Sequence, residues 1–308
     1  MDAKILSNSA KAATDYAQFL DKDSMLPQCV PYPDYRILKA AFFGCCLAIS
    51  ASSYAVDVEI SVSDKVSATA DFRPGEAGKP TILVLHGFLQ TREFGIVKSL
   101  ADTLADAGYT VLSPTLSLGI SYRKNSLNCE ALHLQGMDED IEEIQQWMQW
   151  LHTRGYAKVV GIGHSFGATQ LLAWRERYQD KDFNLIGISM VSSSPLSLSS
   201  DQKTKIQNQT DNELMHAPLS FCDIYTAPER KYTSYYKWNE KKILAALTAS
   251  GSRTDIILGS EDKYLPPKWE NQLAKAGARI HLIKGANHFM DGTEEFDMLD
   301  TTLSILNQ

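Results

Sequence analysis

The stretch Lys158 to Gly167, reading KVVGIGHSFG, constrains this chain more than any other. Lys158 to Gly163 reads as a strand, and Ser165 to Arg177 reads as a helix. The pentapeptide Gly163-His164-Ser165-Phe166-Gly167 sits between them, so a G-x-S-x-G run falls directly after an apolar strand and before a helix. A serine in that place occupies a sharp, strained turn, with its hydroxyl projecting above the sheet. Side chains at either flanking glycine would collide with the neighbouring strand and helix. The helix start directs backbone N–H groups toward any negative charge that develops there. The alternative is a glycine-rich strand-to-helix turn whose serine does nothing.

The rest of the chain alternates in the same way. Val56 to Val62 and Val66 to Phe72 have the period of two expected of strands. Thr81 to Leu85 is a near-continuous apolar run, as in a strand buried on both faces. Further strands are expected at Thr110 to Leu112, Leu185 to Val191, Thr254 to Leu258 and Arg279 to Ile283. Helices are expected at Glu93 to Ala107, Asp138 to His152, Glu240 to Thr248, Lys268 to Ala276 and Thr293 to Leu306. In Asp138 to His152 the residues Ile141, Ile144, Met148 and Leu151 recur at helical spacing. Strands alternating with helices predict an α/β fold with a mostly parallel central sheet flanked by helices. Ser113 to Gln135 reads as a long polar loop, and periodicity fades from Ser192 to about Tyr236.

Residues 1–55 read as a leader. Arg36 and Lys39 precede the apolar run Ala40 to Ile49, and Ser53-Tyr54-Ala55 supplies a small-x-small site, predicting a signal peptide cleaved after Ala55. The run is shorter than the roughly 20 residues a bilayer-spanning helix needs. The stretch before it is long for a signal, which a start at Met25 would explain. The expectation is export to a periplasmic or secreted location. The alternatives are a cytoplasmic enzyme with an N-terminal helix, or a lipid anchor through Cys45. Only Cys129 and Cys222 lie beyond the leader, and in an oxidising compartment they can pair. Otherwise they are separate buried thiols. A net charge of −7 and the lack of a Lys/Arg cluster argue against a nucleic-acid partner. No Cys/His cluster suggests a metal site, and no glycine-rich nucleotide fingerprint is present.

From Gly163 to Gly167 outward the chain resembles the α/β-hydrolase family, in its branch of serine esterases and lipases, over nearly all of residues 56–308. In that family the triad follows in the order serine, acid, histidine. The resemblance makes Ser165 the nucleophile. It makes Asp262, in Gly259-Ser260-Glu261-Asp262, the acid, with Glu261 as its rival, and His288, in Gly285-Ala286-Asn287-His288, the base. The backbone N–H groups of Phe166 and Phe88 become the oxyanion donors, the latter within His86-Gly87-Phe88. That loop departs from the HGGG form used by some esterases. His86 and His164 read as supporting residues. The resemblance also implies that a stretch of about 192–250 is a lid. Its aromatics Phe221, Tyr225, Tyr232, Tyr235, Tyr236 and Trp238 either line an acyl pocket or form the lid's own small core.

These residues imply hydrolysis of a small-molecule acyl ester through an acyl-enzyme, needing neither cofactor nor metal. The same triad serves acyltransferases, thioesterases and peptidases, and the scaffold does not choose among them. A non-catalytic binding protein on this scaffold usually lacks a triad member. Epoxide hydrolases and haloalkane dehalogenases use an aspartate nucleophile, against which Ser165 argues.

Overall fold

The structure, a computed structural model, describes residues 55–193, 198–208 and 213–308. The leader, its apolar run and the cleavage site up to Tyr54 lie outside the described residues. Among the described residues no helix is long and apolar enough to cross a membrane.

An eight-stranded sheet in the order β1-β2-β4-β3-β5-β6-β9-β10 organises the chain. Its strands are β1 (Val56–Ser63), β2 (Val66–Arg73), β3 (Thr81–Leu85), β4 (Thr110–Thr115), β5 (Val159–His164), β6 (Asn184–Ile188), β9 (Thr254–Gly259) and β10 (Arg279–Ile283). From β4 through β10 all pairings are parallel, while β1–β2 and β2–β4 are antiparallel. The flanking helices are α1 (Gly95–Asp106), α2 (Met137–His152), α3 (Phe166–Tyr178), α6 (Glu240–Ser250), α7 (Trp269–Lys275) and α8 (Glu294–Leu306).

Strand periodicity divides the core into two layers. Leu83 and Leu85 point to the face packed by α2 and α3, where Ile141, Ile144, Trp147, Leu171 and Leu172 are buried. Ile82 and Val84 point to the opposite face, against Val97, Leu100 and Leu104 of α1 and Met298 of α8. Every residue of β3 is therefore buried, which is why its sequence shows no polar alternation. β3 lies between β4 and β5, so the chain leaves it in one direction and returns on its other side. Such a reversal opens a crevice at the carboxyl ends of the two strands. The segments leaving β3 and β5 are His86-Gly87-Phe88 and Ser165-Phe166-Gly167.

Two strand boundaries differ from expectation by three residues. β4 continues to Thr115, because β2 pairs along it as far as Thr69–Thr115. β6 stops at Ile188, where Ser189 adopts a left-handed φ of 51°. The larger difference is the stretch between β6 and β9. It folds into α4 (Ser200–Asn208), the antiparallel hairpin β7 (Leu214–Leu219) and β8 (Cys222–Pro228), and α5 (Glu229–Tyr236), followed by α6. The hairpin is fastened to the loop before α2. The His133 N–H donates to the Thr226 carbonyl at 2.8 Å, and Cys129 is bonded to Cys222 with Cα atoms 5.5 Å apart.

Candidate active site

Ser165 closes β5 and caps α3, with φ 54° and ψ −124°, outside the regions an L-residue adopts freely. Its N–H donates to the Ile188 carbonyl at 2.7 Å, which ties the strained residue to the neighbouring strand. The glycines on either side answer to close approach. A β-carbon at Gly163 would lie 2.4 Å from the Ala168 nitrogen, and one at Gly167 would lie 2.3 Å from the His86 carbonyl oxygen.

The loops after β9 and β10 bring the other two residues to this turn. The Ser165 hydroxyl lies 2.9 Å from Nε2 of His288, and Nδ1 of His288 lies 2.8 Å from Oδ2 of Asp262. The Asp262 side chain is fully buried, and its Oδ1 accepts the Tyr264 N–H at 2.9 Å. With Nδ1–H donated to the carboxylate, Nε2 is left to accept the serine proton. Glu261 is exposed, and its own N–H donates to the Ala286 carbonyl at 2.9 Å. The structure thus places Asp262, not its neighbour, on the imidazole. Gly259 lets the two loops meet, since a β-carbon there would fall 2.3 Å from the Ala286 carbonyl oxygen.

The turn after β3 faces Ser165. A β-carbon on Gly87 would come within 3.3 Å of the Ser165 β-carbon. Among the described residues, the N–H groups of Phe88 and Phe166 donate to no partner. The turn is held by side chains on its far side. Gln90 Oε1 accepts the Gly87 N–H at 3.2 Å. His86 Nδ1 lies 2.8 Å from the Gly87 carbonyl, and its Nε2 accepts the Leu116 N–H at 3.0 Å. Burial, together with the nearby Arg123 charge, pushes His86 down to about 3, so it stays neutral and keeps both roles.

Arg123 completes this support, and the sequence reading missed it. Its guanidinium is buried and donates to the carbonyls of Leu116 (2.7 Å), Gln90 (2.7 Å), Asn125 (2.9 Å) and Leu89 (3.4 Å). Leu89 sits at a left-handed φ of 59°, so the arginine clamps the strained part of the turn. Nothing in a polar loop marks one arginine among its neighbours as the buried one. Beneath lie two buried carboxyls on α2. Asp140 Oδ2 accepts from Tyr235 and Gln170, each at 2.6 Å, and Glu143 holds the Ser117 N–H and hydroxyl. Burial raises each to about 7. His164 is buried beside His288, with Nε2 3.1 Å from the His288 carbonyl, and burial lowers it to about 4.

A cavity of about 1050 Å³ opens over Ser165 and His288. Its walls include Phe88, Phe94, Val191, Phe221, Tyr264, Leu265 and Phe289. Of the aromatics expected between β6 and β9, only Phe221 lines it. Tyr225, Tyr232, Tyr235 and Trp238 are buried in the core, and Tyr236 packs against that core half-buried. They hold the hairpin and α5 onto the sheet: Tyr235 meets Phe88 edge-on at 5.3 Å and Phe166 at 5.8 Å. Among the described residues no group of His, Cys, Asp or Glu could hold a metal ion.

Comparison with known proteins places this architecture. Residues 82–296 match the model of the alpha/beta hydrolase family. No curated protein matches the chain in sequence. Among solved structures, Est1E from Butyrivibrio proteoclasticus superposes with a TM-score of 0.58 at 13% identity, over 81% of this chain and 98% of that one. The alpha/beta hydrolase GrgF from Penicillium sp. sh18 reaches 0.63 at 15% identity, over 82% and 98%. A thioesterase domain from the curacin biosynthetic pathway reaches 0.56 at 15% identity, over 83% and 100%.

Proposed function

The chain belongs to the α/β-hydrolase family, and from that premise we propose that it is a serine hydrolase cleaving carboxylic esters through an acyl-enzyme. One observation carries the reading: a continuous hydrogen-bonded path runs from the Ser165 hydroxyl through His288 to the buried Asp262, at 2.9 and 2.8 Å. In a catalytic cleft such a path serves to deprotonate the serine.

His288 Nε2 takes the proton as Ser165 Oγ attacks the ester carbonyl. The carbonyl π electrons move onto oxygen, and the N–H groups of Phe88 and Phe166 receive the oxyanion. Asp262 stabilises the imidazolium. As the tetrahedral centre collapses, the bond to the leaving oxygen breaks and His288 gives that oxygen its proton. Water, deprotonated by the same imidazole, then attacks the acyl-serine; the bond from the acyl carbon to Oγ breaks, the imidazolium returns its proton to Ser165, and the acid leaves.

The segment between β6 and β9 supplies Phe221 and Glu240 to the cavity wall, which supports its reading as a lid. The Cys129–Cys222 bond belongs in an oxidising compartment and supports export. A mature chain from an exporting cell that begins elsewhere than Val56 would count against the cleavage site.

The test is a fluorophosphonate probe on the wild type and Ser165→Ala, with p-nitrophenyl esters of graded acyl length. The wild type labels and turns over esters. Ser165→Ala does not label and loses turnover by about a million-fold. Labelling that persists in the variant refutes the nucleophile, whereas labelling without ester turnover moves the chemistry to another acyl donor or acceptor.

A further inference from the structure

We propose that the part of the cavity beside His288 is a subsite for a flat aromatic leaving group, so that esters of arylmethyl and aryl alcohols are preferred substrates. The inference rests on the serine-hydrolase reading above and adds the chemical class of the alcohol.

The reaction's geometry fixes which wall meets the alcohol. The proton taken from Ser165 returns to the leaving oxygen, so that oxygen must come within about 3 Å of His288 Nε2. The carbonyl oxygen lies instead toward the N–H groups of Phe88 and Phe166. Whatever the leaving oxygen carries is therefore held on the imidazole side.

Aromatic rings line that side. The Tyr264 ring centroid lies 4.9 Å from the His288 imidazole, tilted at 56°, and the Phe289 ring lies 5.3 Å from it, edge-on at 86°. Phe94 faces Phe289 at 5.8 Å, and Tyr264 and Phe289 are 6.3 Å apart. All three line the cavity. They differ from Tyr225, Tyr232, Tyr235 and Trp238 between β6 and β9, which are consumed in packing. Tyr264 is 57% exposed, and Phe94 and Phe289 are only half-buried. Large apolar rings left open in a concave site mark a place where a ligand completes the packing. Open faces and edges at mutual angles of this kind suit a further ring in a stacked or edge-on pose. The remaining wall, with Val191, Ser192, Ser220 and Phe221 beside Phe88, is left for the acyl part.

The experiment compares benzyl and cyclohexylmethyl esters of one short acid. The two alcohols are close in size and acidity, and both esters give the same acyl-enzyme. The ratio of their kcat/KM values therefore reports the ring's flatness during acylation. The wild type is expected to favour the benzyl ester roughly 2- to 10-fold, the span that one aromatic pairing supplies. Tyr264→Leu and Phe289→Leu, which keep an apolar side chain, are expected to bring the ratio toward one. Inhibition of the wild type by benzyl alcohol, compared with cyclohexylmethanol, repeats the comparison without a variant, and benzyl alcohol should be the stronger inhibitor. A wild-type ratio near one, or a preference unchanged in both variants, overturns the subsite. Fluorophosphonate labelling separates the two levels of failure. A wild-type ratio near one with Ser165 still labelled removes only this inference, whereas labelling that does not depend on Ser165 removes the reading beneath it as well.

Discussion

Gly167 and His86 are in backbone contact: a β-carbon at residue 167 would lie 2.3 Å from the His86 carbonyl oxygen and 2.8 Å from that of Leu85. The start of α3 is thus seated on the end of β3, which sets the distance between Ser165 and the turn bearing Phe88. Gly167→Ala should push these backbones apart. Backbone cannot give way as a flexible side chain does, so a stability loss of about 1–3 kcal/mol is expected. Fluorophosphonate labelling should fall by more than about 10-fold, because sub-ångström displacement of preorganised donors is costly. A Gly167→Ala protein with wild-type melting and labelling rate would show that the contact does not set the site.

Arg123 offers a test of the turn from behind. Its guanidinium holds the Leu89 and Gln90 carbonyls without lining the cavity. Arg123→Met keeps much of the stem volume and removes the donors. A lost charged hydrogen bond costs about 1.5–3 kcal/mol where the carbonyl is buried, and less at Leu89, whose carbonyl keeps the Leu127 N–H. On the proposed mechanism the site should respond mainly in kcat, by about 10- to 100-fold, since the turn would then face the developing oxyanion more than the ground-state ester. Arg123→Lys, with a point charge in place of a planar fork, should recover only part of the loss. A variant whose KM rises while kcat holds would place Arg123 in substrate binding instead.

The placement of the three proposed catalytic residues was legible because each sits where a strand ends. Ser165, Asp262 and His288 follow β5, β9 and β10, and a parallel sheet brings such ends to one edge. The clues were local: a glycine that admits close backbone approach and a short distance to the functional residue. Arg123 left no clue, because its role depends on carbonyls contributed by residues 89, 90, 116 and 125, and no periodicity records that convergence. The β7–β8 hairpin was also hidden. Met215, Ala217 and Leu219 do alternate inward along β7, but His216 and Pro218 between them blur the pattern. The aromatics between β6 and β9 were ambiguous because a ring packs equally well against a core or a ligand. Only three-dimensional burial separates Tyr232 and Tyr235 from Phe221.

The buried carboxyls predict a dependence of stability on pH. Asp140 has an ordinary value of 3.8 and is raised to about 7, mainly by burial. The folded chain therefore keeps a proton that the unfolded chain has released. The resulting stabilisation is complete below about pH 4 and is lost as pH rises through about 7, on the order of 1 kcal/mol per pH unit. His86 and His164 have the opposite sign: burial lowers them to about 3 and about 4, so their contribution is lost as pH falls below 6.5. The wild type thus mixes two slopes, and Asp140→Asn removes the share of the first that Asp140 supplies, leaving that of Glu143. The wild-type advantage over Asp140→Asn, measured by urea unfolding, should shrink steadily from pH 4 to pH 7. A difference that stays flat across that window would mean that Asp140 is ionised in the folded protein throughout.

The Cys129–Cys222 bond joins the loop before α2 to the tip of the β7–β8 hairpin, across 93 residues of sequence. Closing so long a loop restricts the unfolded chain, which in the chain-entropy picture is worth about 4–5 kcal/mol, with measured values commonly lower. The bond also acts locally. Phe221, next to Cys222, lines the cavity and packs edge-on against Phe88 at 5.9 Å. Reduction should therefore have two separable effects. The melting temperature should fall by about 5–15 °C, given the few degrees that each kcal/mol commands in a chain of this size. Below melting, KM should rise while Ser165 still reacts with fluorophosphonate, because the wall at Phe221 loosens and the hydrogen-bonded path through His288 does not involve it. Cys129→Ser should match the reduced wild type and should not respond further to reductant. Mass spectrometry after alkylation of the folded, unreduced protein checks the premise. Peptides carrying Cys129 and Cys222 in alkylated form would show that the bond is not made, and the stabilisation argued from it would then have no source.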